Sequence, residues 1–316
     1  LQGDGRMACL EPDHDGLGVR WRATLGPDAA GPIEPAWISD GLVIAYHSQG
    51  PTAVCFDAHS GKRIAVWGGN GRIQVWLSPG GLLAVLDAGK LSVREVQGRP
   101  GRRRISEPIW RRYLAGGPSA AILGMSASFL AVSPGDAPDT IEVLDLAGGG
   151  RPVEVYQTRP EGGRALNVWQ VVLEGRTVYA VCSTQAGTYR GVVSVPLSLQ
   201  GLTVQKFVPG ARMPAWTRGF GTDRRSRHYG WNPLTVGRDR VSVLARRVDR
   251  REFKVDLTVL DASTGEPTAP TLRVAEEVAG ARGRPPASAM IGAPVAAGGK
   301  LWVETPEGLK VFGVAQ

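Results

Sequence analysis

Two stretches of this 316-residue chain combine several arginines with aromatic residues. The first reads Arg218-Gly-Phe-Gly-Thr-Asp-Arg-Arg-Ser-Arg-His-Tyr-Gly-Trp231, and the second reads Arg246-Arg-Val-Asp-Arg-Arg-Glu-Phe-Lys254. Guanidinium groups form paired hydrogen bonds with carboxylate and phosphate oxygens, and aromatic rings among them offer stacking surfaces. The two stretches therefore predict a surface that binds an acidic protein or an anionic polymer. Its expected residues are Arg224, Arg225, Arg227, Tyr229, Arg246, Arg247, Arg250, Arg251, Phe253 and Lys254.

Acidic residues within the same stretches reduce this charge. Asp223, Asp249 and Glu252 partly neutralise the arginines, so charged loops that are merely solvated are the alternative interpretation. The whole chain has 37 basic and 29 acidic residues, a formal charge of +8, and only six of the basic residues are lysines. Codon usage in a GC-rich genome accounts for such an arginine excess without any function. Net charge alone therefore predicts no partner.

Other residue types that carry out chemistry show no grouping. The histidines at positions 14, 47, 59 and 228 have no partner at metal-ligand spacing. Cys9, Cys55 and Cys182 form no CxxC pair and are expected to be small buried side chains. No nucleophile motif or phosphate-binding loop is present. We predict no catalytic, cofactor-binding or metal-binding residues, and the sequence favours binding over catalysis without excluding an enzyme.

The elements that must position the arginines follow a repeat. In six places a Gly, Asp or Pro turn, or a small-residue turn, leads directly into a short apolar strand. The spacing of roughly 40 to 60 residues matches one four-stranded sheet in a radial array. The pattern predicts an all-β chain that forms a β-propeller with almost no helix. The six copies are Asp40–Tyr46, Gly80–Leu86, Ala127–Val132, Gly175–Val181, Asp239–Leu244 and Gly298–Val303.

The propeller is predicted to have six four-stranded blades, with seven as the alternative, in a single domain of residues 1–316. The first full copy divides into strands at 33–38, 42–47, 52–57 and 63–67. The last copy has only three strands, so residues 19–25 are expected to pair with it and close the ring. Residues 7–12 are then an extra strand, either peripheral or part of an upstream blade. Because the chain begins with Leu, we expect a processed or excised segment.

This topology brings the two arginine stretches together. The first stretch connects the fourth copy to the fifth, and the second lies at the turn between strands two and three of the fifth copy. Such connections emerge on one face of a propeller, so both stretches are expected at the loop face of the fifth blade. The neighbouring loops are neutral or mixed in charge, which confines a charge-driven contact to this blade.

A turn signature within the repeats resembles a known family. Phe56-Asp-Ala-His-Ser-Gly61, followed by Trp67, and Leu260-Asp-Ala-Ser-Thr-Gly265 are similar to the repeat of pyrroloquinoline-quinone-type (quinoprotein) propellers. That family includes alcohol dehydrogenases and the propeller lipoprotein of the outer-membrane protein assembly machine. The dehydrogenases use vicinal cysteines and a tryptophan floor for the quinone. This chain has no adjacent cysteines, so the resemblance implies the non-catalytic branch, with no cofactor and an extracytoplasmic, bacterial envelope location.

We therefore expect a non-enzymatic interaction or scaffold propeller that binds a protein partner or a larger assembly through the fifth-blade loops. A ligand-binding or enzymatic propeller (lyase, hydrolase or quinone-dependent) with a site at the central channel mouth is the alternative. Trp37, Trp76, Trp169 and Trp231 lie on first strands and are expected either to line that channel or to pack between blades. Nucleic-acid binding ranks last. No apolar run reaches the length of a membrane span.

Overall fold

A computed structural model describes most of the chain. The described residues are 6–13, 16–24, 33–39, 41–47, 52–68, 73–159, 166–188, 196–220, 227–229, 233–249, 252–278, 295–297, 300–305 and 308–313. Backbone contacts divide the chain into two compact units. One comprises Leu1–Ala137, Leu144–Val153 and Arg190–Ser194, and the other comprises Pro138–Val143, Glu154–Tyr189 and Val195–Gln316. The single-domain assignment of 1–316 stays a prediction.

The first unit is built from antiparallel sheets of consecutive strands. Hairpin turns connect them, because Gly, Asp and Pro punctuate short apolar runs throughout this part of the sequence. The strands are β1 (Arg6–Asp13) paired with β2 (Gly16–Thr24); β3 (Ile33–Ser39), β4 (Leu42–His47), β5 (Thr52–Asp57) and β6 (Arg63–Gly68), in that order; and β7 (Ile73–Leu77), β8 (Leu82–Asp87), β9 (Lys90–Gln97), β10 (Arg104–Ile105) and β11 (Trp110–Tyr113), with β9 pairing both β10 and β11. The predicted strands of the first repeat are confirmed to within one residue.

One further four-stranded sheet contains residues of both units, because the unit boundaries fall within its third and fourth strands. It consists of β12 (Ala121–Met125), β13 (Phe129–Ser133), β14 (Thr140–Asp145) and β15 (Pro152–Gln157). The turn of 3-10 helix at Gly117–Ser119, just before it, is the one helical segment in the described part of the chain. None of the described segments is a helix long and apolar enough to span a bilayer.

The second unit contains a regular sheet, a much larger one and a three-stranded sheet. The regular sheet has the order β16-β17-β20-β21, and the large sheet has the order β18-β19-β22-β24-β25-β26 with β23 also on β24. Their bounds are β16 (Asn167–Glu174), β17 (Thr177–Ser183), β18 (Gln185–Thr188), β19 (Pro196–Gln200), β20 (Leu202–Phe207), β21 (Trp216–Phe220), β22 (Arg227–Tyr229), β23 (Leu234–Val236), β24 (Arg240–Asp249), β25 (Glu252–Asp261), β26 (Leu272–Val278), β27 (Val295–Ala297), β28 (Lys300–Thr305) and β29 (Gly308–Gly313).

The partner of the N-terminal strand differs from the prediction. Residues 19–25 were expected to complete the C-terminal sheet, but β2 pairs with β1, from Arg6 opposite Thr24 to Asp13 opposite Gly16, with one register shift between Cys9 and Leu10. Residues 7–12, which the six-blade scheme left over, are that partner. A hairpin between adjacent segments closes a very short loop and therefore costs little chain entropy. Of the described strands, β27, β28 and β29 form the C-terminal sheet.

The recurring turn signature has the predicted geometry. Oδ1 of Asp57 accepts hydrogen bonds from the backbone N–H groups two and three residues along, both at 2.9 Å. Asp261 does the same in the fifth copy, at 2.8 and 3.0 Å. The turns end at Gly61 and Gly265, whose φ angles of 69° and 73° fall in the left-handed region that favours glycine. Each turn is therefore fixed by its own sequence.

A tryptophan from the preceding sheet docks on each of three such turns. The indole N–H groups of Trp21, Trp110 and Trp216 donate to the carbonyl oxygens of Ala58 (2.8 Å), Leu146 (2.9 Å) and Ala262 (3.2 Å), respectively. The glycine that ends each turn lies against the ring, and a Cβ on Gly265 would come within 2.6 Å of Trp216. Each docked tryptophan thus precedes its turn in the chain. In the sequence pattern of the 56–61 turn, by contrast, the tryptophan, Trp67, follows the turn.

Candidate functional site

The second arginine stretch forms the end of a long hairpin. β24 and β25 have ten residues each and pair along their whole length, from Arg240 opposite Asp261 to Asp249 opposite Glu252. The stretch 246–254 surrounds the predicted turn between two paired strands, and all of it except residues 250 and 251 is strand rather than loop. Strands of this length are twice the usual five or six residues. The hairpin extends the repeat well beyond the regular sheet.

The first arginine stretch pairs with this hairpin. β22, which belongs to the first stretch, pairs with β24, so that Arg227 lies opposite Val248 and His228 lies opposite Arg247. On its other side β22 pairs with β19, which forms a hairpin with β18. The two stretches thus lie side by side in one seven-stranded sheet. The sequence interpretation treated these segments as loops, since short strands in a polar sequence have no apolar alternation to reveal them.

Strand alternation separates the predicted residues into two sets. Arg246 and Phe253 are 2% and 1% exposed, and Phe253 packs in a core cluster with Leu301 of β28. They are not available to a partner in this structure, which corrects their assignment to an exposed surface. Arg247 and Lys254 are the adjacent residues on each strand, and they project to the other side because successive side chains on a strand alternate. Both are partly exposed.

The remaining predicted residues fall where less is described. Arg224, Arg225, Arg250 and Arg251 lie outside the described residues. Arg227 and Tyr229 belong to β22, of which the backbone alone is described. The binding role of the predicted set stays a prediction, and Arg247 and Lys254 are its members with described, accessible side chains.

Charged residues on three adjacent strands form what we call the charged row: Arg247 of β24; Glu252, Lys254 and Asp256 of β25; and Arg273 and Glu276 of β26. Cross-strand pairing sets them on one face, with Lys254 opposite both Arg247 and Glu276, and Asp256 opposite Arg273. Of these six residues, only Arg247 and Lys254 were predicted from the sequence to contact a partner. The alternation Glu-x-Lys-x-Asp-x-Thr at 252–258 is the signal that identifies Glu252 and Asp256.

Asp256 is the centre of the ion pairs in the charged row. It is only 8% exposed, and its carboxylate contacts Arg247 (Nη2 to Oδ2, 3.3 Å) and accepts a hydrogen bond from Nε of Arg273. Arg273 also donates to Glu276 (2.7 Å). The hydrogen bond to Asp256 is the main reason why the pKa of the Arg273 guanidinium is raised above its usual value. Arg273 therefore stays charged and is held in place by two carboxylates.

The end of the charged row opens into a cavity of about 360 Å³. We call it the Arg247 cavity. Thr258 and Thr271 share a hydrogen bond between their hydroxyl oxygens at 2.9 Å. The walls combine cationic, anionic, hydroxyl and apolar groups. The lining residues are Phe220, Ala245, Arg247, Asp256, Thr258, Thr271 and Arg273.

A second cavity, of about 390 Å³, lies beside the turn after β25. Its lysine is already engaged, because Nζ of Lys206 donates to the carbonyl oxygen of Ala262 (2.7 Å) and lies 5.5 Å from the ring centre of Tyr179. Burial, followed by the nearby charge of Glu174, raises the pKa of Tyr179 to about 12. This cavity therefore offers a structural lysine and a neutral phenol rather than reactive groups.

Metal ligands and the first-strand tryptophans give no second site. The described residues contain no cluster of three or more His, Cys, Asp or Glu that could hold a metal ion. Trp76 and Trp169 pack against core clusters, which supports blade-interface packing for these two. Trp37 has only its backbone described, and Trp231 lies outside the described residues.

Comparison with known proteins identifies the fold. No protein-family model matches the sequence, and no curated protein matches it. The β-propeller domain of Cps50 (Swd1) from Myceliophteria thermophila matches with a TM-score of 0.55 and 13% identity over 99% of this chain and 91% of that chain. A functionally unknown protein from Desulfotomaculum acetoxidans has a TM-score of 0.49 and 14% identity, and the match covers 86% of this chain and 80% of that chain. BamB from Moraxella catarrhalis has a TM-score of 0.46 and 11% identity, and the match covers 97% of each chain. The chain has the β-propeller fold, as the repeat predicted, and its blade number stays a prediction.

Proposed function

We propose that this β-propeller is a non-enzymatic interaction module that binds a partner protein through the charged row and the strands beside it. The observation that carries this proposal is the seven-stranded sheet, which is built where the repeat requires only four strands. In repeat architectures the core is supplied by the regular units, and insertions into single repeats are frequent on the binding face. We infer that the extra segments on the elongated hairpin provide binding surface.

The balance of charge favours a protein over an anionic polymer. The charged row contains three basic residues (Arg247, Lys254 and Arg273) and three acidic ones (Glu252, Asp256 and Glu276). Its formal charge is therefore zero, and the carboxylates would repel a chain of phosphates. A partner protein can present the complementary alternation of charges, which sets the register of a contact and excludes other partners. The row is suited to selectivity more than to bulk attraction.

The location rests on a different observation. The turn signatures at 56–61 and 260–265 resemble those of quinoprotein-type propellers. This supports a place in a bacterial envelope or another extracytoplasmic assembly, where the non-catalytic members of that family act. The proposed role is then that of a scaffold within the assembly.

Site-specific photo-crosslinking tests the interaction surface. A photoreactive phenylalanine analogue replaces Glu252 or Glu276, whose side chains are 55% and 48% exposed, in cells that express the full chain. Controls carry it at Glu266, which is 70% exposed, or at Met213, which is 46% exposed. We expect both row positions to give the same protein adduct and the controls to give none. Equal labelling at all four positions, or adducts from the controls alone, would contradict the proposal.

A further inference from the structure

We propose that the Arg247 cavity binds the carboxylate of a ligand that also carries an apolar group. Arg247 would hold the carboxylate, and Phe220 with Ala245 would contact the apolar part. The cavity shares Arg247, Asp256 and Arg273 with the charged row. The inference nevertheless does not depend on the proposed partner protein. It rests on the hydrogen bonding of the arginines, on the charge of the lining and on the composition of the walls.

The two arginines of the cavity differ in how many of their N–H groups have hydrogen-bond acceptors. Arg273 donates to both Asp256 and Glu276. Arg247 has an ion-pair contact with Asp256 at 3.3 Å, while its buried Nε–H has no acceptor among the described residues. A buried donor without an acceptor is destabilising by about 1–3 kcal/mol, so a rotation of the Arg247 side chain that brings this N–H to a ligand oxygen in the cavity is favourable. Arg247 is therefore the arginine with unused hydrogen-bonding capacity for a ligand, and its ion pair with Asp256 keeps the Arg247 guanidinium in place.

The charge of the lining matches a single negative charge. Arg247 and Arg273 contribute two positive charges and Asp256 contributes one negative charge, which leaves +1 for the residues that line the cavity. A carboxylate neutralises this charge. A phosphate dianion would leave an excess negative charge close to Asp256, where low solvent exposure strengthens the repulsion. The planar guanidinium also matches the two oxygens of a carboxylate.

The walls next to Arg247 indicate the rest of the ligand. Phe220 of β21 offers an aromatic ring, and Ala245, which is 5% exposed, adds a small apolar surface. The hydroxyls of Thr258 and Thr271 already bond to each other. The volume of about 360 Å³ lies at the lower end of the range for small-molecule sites, about 300–1,000 Å³. A compact ligand such as an arylalkyl carboxylate fits these walls.

Two sources can supply this chemistry, namely a free small carboxylic acid and the C-terminal residue of a polypeptide. The probes are 3-phenylpropionate, its neutral amide, 2-phenylethylphosphonate as the dianion, and a tripeptide ending in Phe with either a free or an amidated C-terminus. The full chain, labelled with ¹⁵N in arginine, is titrated while the Nε–Hε resonances are recorded. The resonance that Arg247→Met removes is assigned to Arg247.

We expect 3-phenylpropionate to shift the Arg247 resonance saturably, and the amide and the phosphonate to leave it in place. A response to the free-acid tripeptide as well would identify a chain terminus as the source, and its absence would identify a free acid. Equal responses to 3-phenylpropionate and its amide, or no response to any carboxylate, would overturn the inference. The titration itself uses the wild-type protein, and Arg247→Met serves in it only to assign the resonance.

Variants then locate the contact. Arg247→Met should weaken binding of 3-phenylpropionate about ten- to hundredfold, which is typical for loss of a hydrogen bond to a charged group. Phe220→Ala should weaken it by a smaller factor. The control is Arg218→Met, because Arg218 lies on the same strand as Phe220, pairs with Glu266 at 3.1 Å and does not line the cavity. Equal affinity in Arg247→Met and Arg218→Met would also overturn the inference. Failure of the crosslinking test alone would leave this site unaffected.

Discussion

Replacing Gly265 by alanine tests whether tryptophan docking holds neighbouring sheets together. The matched control is Gly175→Ala in the β16–β17 turn of the same unit. Both glycines have positive φ, 73° and 59°, so both variants carry the left-handed backbone penalty of about 1–2 kcal/mol. A Cβ on Gly175 meets nothing within 4 Å, whereas one on Gly265 lies 2.6 Å from the Trp216 ring. The difference between the variants therefore isolates the ring contact.

The expected difference is about 3 kcal/mol. Displacing a packed ring costs about 1–3 kcal/mol, and losing the hydrogen bond from Trp216 to Ala262 costs about 1 kcal/mol more. Urea unfolding followed by fluorescence and circular dichroism measures the free energy of unfolding for each variant. In a Trp216→Leu background the extra cost of Gly265→Ala should disappear. Equal destabilisation by Gly265→Ala and Gly175→Ala in the wild-type background would refute the docking argument.

Three further predictions concern side chains that fix the turns and the core. In urea unfolding, Asp57→Ala should destabilise by about 2–3 kcal/mol and Asp145→Ala by about 1 kcal/mol. Asp145 accepts a hydrogen bond from the N–H of Ala147 in its own turn, whereas Asp57 caps its turn and also accepts an N–H from Gly101 at 2.9 Å, in a second loop. Equal costs would contradict this. The hydrogen bond from the Ser263 side chain, followed by those from the backbone, lowers the pKa of Asp261 from 3.8 to about 2. The contribution of the ionised carboxylate to stability is therefore complete above about pH 4 and is lost as the pH falls through 2. The stability gap between wild type and Asp261→Asn should therefore be smaller at pH 2 than at pH 5, and a constant gap would exclude this role. Burial, followed by the charge of Asp57, raises the pKa of Cys55 to about 12, so a thiol reagent at pH 8 should label Cys55 only after unfolding, as mass spectrometry of the native protein can check.

Regular strands were predictable because their signals are local. The four strands of the first repeat lie at their predicted positions, since alternating apolar residues between Gly and Asp turns specify both the strand and its face. The turns at Asp57 and Asp261 were also predictable, because the side chain that caps each turn is adjacent to the N–H groups that it binds. Local chemistry thus accounts for most of the fold.

The candidate site was less accessible to prediction because it depends on partners far apart in sequence. Charged residues at 246–254 resemble a loop, and they form strands because β22 and the rest of the hairpin supply hydrogen-bonding partners. The tryptophan that docks on Gly265 comes from position 216, which precedes its turn by a whole blade. Arg273 was missed for the same reason, since its pairing with Asp256 follows from a register shift between β25 and β26. Such contacts are set by register, which a single repeat does not reveal.

The affinity of the crosslinked partner for charge-reversed variants tests the proposed function most directly. Glu252→Arg and Glu276→Arg reverse exposed charges in the charged row, and Glu266→Arg reverses an exposed, ion-paired glutamate elsewhere in the same unit. Equilibrium binding at two salt concentrations gives the affinity of each variant. We expect at least about tenfold weaker binding for the row variants and a change of less than about twofold for Glu266→Arg. Equal affinities for all three variants would contradict the proposed function.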